Sequence, residues 1–335
     1  MKQKIFITSI IALLFLIICL SFCTSLSSLS NKRTPNTIRV GYHLNFGGSS
    51  AIAIALRNGY FNDEELNVEL VGFSSGPASL AALQANDIDI SFMGHGAFGL
   101  VLQSNTKIFA LDSLSYAEEI IARKDSHINS ISDLYGKKIA VPFGTSAENF
   151  LRILFDINNL DYKQINVINM DILGCISALD KGYVDAVSVW APISNDIYRK
   201  IGQDKVSSVA KCTDYKDQVY LPMYWVADAD FLENNHTVIT KFTRALLKAL
   251  DWRIEHLEET TKYVGDLLDK NYEDLISDTE SALWFSSPKI KEYLENSMIE
   301  YWFMTQYLFL QKSEYVTQNI DVSDIVDLTF LKEIL

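Results

Sequence analysis

IRVGYHLNFGGSSAIAIALRNGYFNDEELNVELVGFSSGPASLAALQANDIDISFM, residues 38–93, alternates two kinds of pattern. Residues 38–42, 68–73 and 88–93 are short runs rich in β-branched and aromatic residues, the composition of strands. Between them, 50–57 carries a helical pattern closed by Gly59, and 77–85 a second one with Pro77 at a tolerated first-turn position. The same alternation resumes further on: strands over 138–142, 167–170 and 186–190, helices over 146–158 and 175–181. A βαβα order of this kind predicts an α/β fold with mostly parallel sheets, and ligands outside the carboxyl ends of the strands. From Asn234 onward the chain reads as helical almost throughout. Residues 238–257 place apolar side chains at helical spacing, and 298–310 is rich in aromatics. A core-facing helix explains that second stripe better than an aromatic binding box.

Composition narrows the class. The chain has 335 residues, 48% hydrophobic and 21% charged, so a globular protein of about two lobes is expected. Lys and Arg total 29 against 42 Asp and Glu, a net charge of −13. That balance argues against a nucleic-acid partner, which needs clustered cations. Four cysteines without a C-x-x-C pair exclude a disulfide scaffold and argue against structural zinc. Cys175 and Cys212 read as buried small hydrophobes rather than a bridge.

Lys2 and Lys4 precede the uncharged apolar run 5–20, the layout of an export signal. Leu20-Ser21-Phe22-Cys23 then resembles a bacterial lipoprotein cleavage box, with Cys23 as the acylated residue, 1–22 as signal peptide and 23–37 as a flexible linker. An uncleaved N-terminal anchor is the alternative. Either reading puts the body outside the cytoplasm.

Five strand ends carry the candidate site: the loop 42–50 with His43 and Asn45, Ser74-Ser75-Gly76-Pro77, Gly94-His95-Gly96-Ala97, the loop 143–148 with Gly144, Thr145, Ser146 and Glu148, and Val189-Trp190-Ala191-Pro192. Gly and Ser ahead of a helix offer free N–H groups and the positive end of a helix dipole, although each alone serves equally as an N-cap. No phosphate-binding loop or H-E-x-x-H motif is present. His43 and His95 lack a nucleophile or a third metal ligand in sequence and read as hydrogen-bonding partners of a ligand. His127, His236 and His256 read as surface residues.

Phe73-Ser74-Ser75-Gly76, Asp87-Ile88-Asp89-Ile90 with Gly94, the run from Asp133 to Pro142 (DLYGKKIAVP), Asp185-Ala186-Val187 and Val189-Trp190-Ala191-Pro192 occur in one order. Together they resemble successive signatures of the extracytoplasmic substrate-binding proteins for nitrate, sulfonate and taurine. The resemblance implies a two-lobed clamp of the type II periplasmic-binding fold, each lobe a sheet flanked by helices, with a helical C-terminal region. It implies that the chain leaves the first lobe near 118–121 and returns near 224–227, giving lobes of 38–119 plus 225–335 and of 120–224. It implies capture of a small solute for an ABC permease and ATPase, by a lipid-anchored monomer without catalysis, metal or cofactor. Carried onto this chain, the ligand-binding residues are His43, Asn45, Ser74, Ser75, Gly94, His95, Gly144, Thr145, Ser146, Glu148, Asp171 and Trp190. His95 stands where the sulfonate binders usually have Ser, and Glu148 where they often have His. Asp171-Ile172-Leu173 replaces a Gln-Pro-Pro segment, and Met223 an acidic residue of the taurine binders. The two added carboxylates favour a nitrogenous solute, with a thiamine-precursor aminopyrimidine as the alternative ligand. A pyrimidine-synthesising enzyme of the same fold is the remaining alternative, without the cysteine-rich segment such an enzyme carries.

Overall fold

The structure, a computed structural model, describes residues 37–335. The expected signal peptide, the linker up to residue 36 and Cys23 lie outside the described residues. Two sheets organise the rest. The first has the order β11-β4-β10-β3-β1-β2, formed by β1 (Thr37–His43), β2 (Asn67–Phe73), β3 (Ile90–Met93), β4 (Thr106–Ser115), β10 (Pro222–Asp228) and β11 (Ala282–Trp284). The second has the order β7-β6-β8-β5-β9, formed by β5 (Glu118–Arg123), β6 (Lys138–Val141), β7 (Asn166–Asn169), β8 (Ala186–Trp190) and β9 (Val206–Lys211). Helices of eight residues or more are α1 (Phe46–Arg57), α2 (Gly76–Gln84), α3 (Ser146–Ile157), α4 (Ile172–Asp180), α5 (Ile193–Ile201), α6 (His236–Glu255), α7 (Leu257–Leu268), α8 (Ser287–Glu295) and α9 (Met298–Lys312).

Each sheet has a parallel part and an antiparallel part. β1 pairs with β3, and β6 with both β7 and β8, in parallel. The strands next to the crossovers insert the other way: β10 is antiparallel to β3 and β4, and β5 to β8 and β9. The chain passes between sheets at Tyr116 and Ala117. Glu118 and Glu119 already pair with β8 and β9, so they belong to the second sheet and not, as the 119/120 boundary has it, to the first lobe. Met223 and Tyr224 likewise pair within the first sheet, ahead of the expected boundary at 225. Both shifts have one cause: a crossover strand becomes part of its new sheet as soon as its backbone finds a ladder partner.

In the second lobe successive residues of β5 alternate between two cores. Ile120 and Ala122 face Phe150, Leu154 and Phe155 of α3, whereas Ile121 faces Leu179 of α4 and Ile197 of α5. Strands buried on both faces read as continuous apolar runs, and the sequence marks β6 and β8 in this way but not β5, which opens on Glu118-Glu119. α9 buries Trp302, Phe303 and Tyr307 as expected, while Tyr301 points to solvent.

The first-lobe core contains a fully buried ion pair. Arg253 of α6 donates from Nη1 to Asp112 Oδ1 of β4 and to Ser50 Oγ of α1, both at 2.8 Å, and from Nη2 to the Asp112 carbonyl at 3.0 Å. Trp225 Nε1 of β10 donates to the other carboxylate oxygen at 3.3 Å, and the guanidinium lies 4.5 Å from the Trp284 ring centre. Removing one partner strands a desolvated charge, which typically costs about 3–5 kcal/mol. Asp112→Ala is therefore expected to lose that much in denaturant unfolding. A loss below about 1 kcal/mol contradicts the role given to this pair.

Candidate functional site

One cavity lies where the crossover passes between the sheets, at the carboxyl ends of β1, β3, β6 and β8. Its free volume is about 60 Å³. Eight of the expected residues line it: His43, Asn45, Ser75, Gly94, Gly144, Thr145, Ser146 and Trp190.

Three long helices start at its wall. Asn45 caps α1, its Oδ1 accepting the Gly48 N–H at 2.8 Å. This cap starts α1 at Phe46, four residues before the sequence suggests, and Gly47 and Gly48 lie inside the helix. Gly48 is needed there because a Cβ would sit 2.5 Å from the His43 Cβ. Ser75 precedes α2 and Thr145 precedes α3, whose hydroxyl donates to the Pro142 carbonyl at 2.6 Å. Unpaired first-turn N–H groups and the dipoles of α1, α2 and α3 thus make the cavity wall partly positive.

Four expected residues stand elsewhere, each for a visible reason. Ser74 is exposed. Asp171 is the exposed N-cap of α4, accepting the Gly174 N–H at 2.7 Å. Glu148 is buried but committed: it accepts the Gly144 N–H at 2.7 Å and the Arg152 guanidinium at 2.8 and 3.0 Å. Arg152, one turn along α3, neutralises the carboxylate expected to bias the ligand charge. Its guanidinium is in turn held 4.2 Å from the Tyr162 ring centre. His95 is fully buried behind the wall, beside Gln306 of α9, and burial pushes its pKa down to about 3. His43 does line the cavity; burial holds it neutral, down to about 4. Its Nε2 is 3.4 Å from Ser79 Oγ, and that hydroxyl lies 3.0 Å from the Gly76 carbonyl, which accepts from it.

The cavity also takes in residues outside the expected ligand-binding set, among them Phe92, Ser115, Ala117, Glu118, Met223 and Ser281. Glu118 carries the consequence. It is 2% exposed, and the Ser115 hydroxyl donates to it at 2.9–3.0 Å. Burial raises its pKa, with the Ser146 and Ser115 hydroxyls and backbone N–H groups opposing the rise. Neighbouring Glu119 faces the opposite side of β5, where Tyr198 donates to it at 2.6 Å and Lys211 lies 3.9 Å away. Among the described residues, no Lys or Arg lines the cavity, and no group of three metal-ligating side chains exists.

Several contacts close the lobes over this space, two of them close-packed or charged edges and another the ion pair of Lys312 on α9 with Asp156 on α3. The turn at His95–Ala97 presses on the second lobe so tightly that a Cβ on Gly96 would lie 1.7 Å from the Thr145 carbonyl carbon and 2.0 Å from the Ser146 nitrogen. At another edge Arg199 of α5 donates to Asp274 at 2.7 Å and Asn195 to Ser277 at 3.2 Å. Because backbone cannot yield as a flexible side chain does, Gly96→Ala is expected to wedge the lobes apart. X-ray scattering should show a larger radius of gyration with a nearly unchanged melting temperature. An unchanged radius contradicts this packing.

The NMT1/THI5-like family model matches residues 48–260. A putative aliphatic sulfonates-binding protein of Bacillus subtilis (strain 168) is 28% identical, covering 97% of this chain and 96% of that protein. A formylaminopyrimidine-binding protein of Halalkalibacterium halodurans is 24% identical over 81% of this chain and 82% of that protein. The crystal structure of the periplasmic aliphatic sulphonate binding protein SsuA from Escherichia coli superposes with a TM-score of 0.67. It is 19% identical, and the match covers 89% of this chain and all of that one. The family model spans more than half of the chain, and the chain belongs to the NMT1/THI5-like family.

Proposed function

We propose that this protein is the extracytoplasmic solute-binding component of an ABC importer for a small sulfonate, a taurine-like compound or a related nitrogenous molecule. The observation that carries this reading is the cavity: groups from both lobes converge on a space fit for one compact polar solute. Binding and release, without turnover, are the chemistry this reading assigns to the cavity. The lobes hinge at 116–117 and 212–221, and the solute favours the closed state by touching both. His43, Asn45, Ser75, Gly94, Gly144, Thr145, Ser146 and Trp190 hold it. A permease and an ATPase receive it. An aminopyrimidine is the second reading, favoured by Trp190 as an aromatic wall beside the Glu118 carboxylate. Acylated Cys23 anchors the mature monomer to the bacterial membrane surface; Cys23→Ala should abolish palmitate labelling and release the protein.

Calorimetry with taurine, an alkanesulfonate, nitrate and a hydroxymethyl aminopyrimidine tests the reading. One class should bind with 1:1 stoichiometry, and binding by none overturns it. Trp190→Ala should weaken that ligand about fivefold or more, because an aromatic wall contributes on the order of 1 kcal/mol beyond area burial. The melting temperature should barely move. A large loss of stability with unchanged affinity makes Trp190 a packing residue instead.

A further inference from the structure

Accepting that the cavity is a solute site, we infer that Glu118 sets its specificity: the carboxylate receives a protonated or N–H-bearing nitrogen, and the ligand is a small zwitterion or amino-bearing molecule, not a simple anion.

Position supports this. Glu118 is the first residue of β5, directly after the crossover and directly opposite Trp190 on β8. Its side chain reaches the cavity from the seam between the sheets. The Ser115 hydroxyl donates to both of its carboxylate oxygens, at 2.9 and 3.0 Å, and among the described residues no Lys or Arg lines the cavity around it. The Ser115 hydroxyl is oriented to donate, because its oxygen already accepts the Ala117 N–H at 3.2 Å. A carboxylate held by a hydroxyl donor is arranged as an acceptor, and burial without a cation leaves it undercompensated.

The remaining wall has the opposite sign. α1 and α2 begin at Asn45–Gly47 and Ser75–Gly76, on the first-lobe side, and bring partial positive charge. Ser146, at the start of α3, lines the same cavity as Glu118. The cavity is therefore bipolar, with helix starts for an acidic head and Glu118 for a basic one. A molecule with only the acidic head leaves Glu118 buried without a cation and places a second negative charge nearby. Glu119, one residue on, has Tyr198 and Lys211 as partners and makes no such demand.

The test compares 2-aminoethanesulfonate with ethanesulfonate, and an aminopyrimidine with its deamino analogue, by calorimetry on wild type, Glu118→Gln and Glu118→Asp. A charge-assisted hydrogen bond is worth about ten- to a hundredfold in affinity. Wild type should prefer the amino-bearing member of the pair that binds by at least tenfold. Glu118→Gln should reduce the preference to about threefold or less, through weaker binding of that member, and Glu118→Asp should retain part of it. Should Glu118→Gln fail to fold, the wild-type preference and its partial retention by Glu118→Asp decide. Equal binding within a pair, or a preference untouched by Glu118→Gln, overturns the inference and leaves the solute-binding reading standing. If no member of either pair binds wild type, this inference fails, and the solute-binding reading fails with it when nitrate does not bind either.

Discussion

The buried pair of Arg253 and Asp112 fixes the half of the molecule against which the other half closes. Burying two charges is costly, and the attraction repays it only where the geometry satisfies the remaining donors and acceptors. Here β4, α1, α6 and β10 each supply a hydrogen-bonding group and Trp284 of β11 covers the guanidinium, which leaves Arg253 Nε as its buried donor without a partner. Four of those elements, or the residues beside them, reach the cavity: Ser115 ends β4, Asn45 caps α1, Met223 lies on β10 and Ser281 precedes β11. The ion pair thus sets the register of the first-lobe wall. Asp112 lies three residues before Ser115, so the strand that anchors the pair also delivers the crossover and Glu118.

That crossover is stitched to both lobes. Ser115 donates its N–H to the Leu221 carbonyl at 2.9 Å and Tyr116 to the Ser281 carbonyl at 2.7 Å, whereas the Ala117 carbonyl accepts the Ala191 N–H at 3.0 Å. A solute touching Glu118 and the helix starts of the first lobe therefore touches the joint itself. Gly96 adds the second constraint: only a residue without a side chain lets the first-lobe turn meet the Thr145–Ser146 backbone. The closed arrangement depends on these contacts, and a ligand stabilises it by as much as its affinity for the closed and open states differs.

The strands and most of the loop residues of the site were legible because the signals are local. Buried strands announce themselves as apolar runs, and polar, glycine-rich turns at their ends mark where helices begin. Long-range and side-chain pairings were not legible. Glu148 looked like free charge because its partner Arg152 sits one turn into α3, on a face no loop motif reveals. Asp171 looked like a site residue because an N-cap and a ligand-binding acid share the same place before a helix. The glycines at 47 and 48 read as loop, although the close approach of α1 to β1 requires Gly48. Glu118 was passed over for a different reason: in Glu118-Glu119 the alternation of β5, invisible until the pairing is known, sends one carboxylate to a tyrosine and a lysine and the other to the cavity.

The central claim is a bipolar cavity between two lobes, and a crystal structure of the protein with bound 2-aminoethanesulfonate or an aminopyrimidine tests it most directly. The account predicts the solute between the sheets, its nitrogen within about 3 Å of a Glu118 carboxylate oxygen, as a charge-assisted hydrogen bond requires. The other end of the solute should lie against the starts of α1 and α2. A solute bound outside this cavity, or one that turns its acidic group toward Glu118, would contradict it.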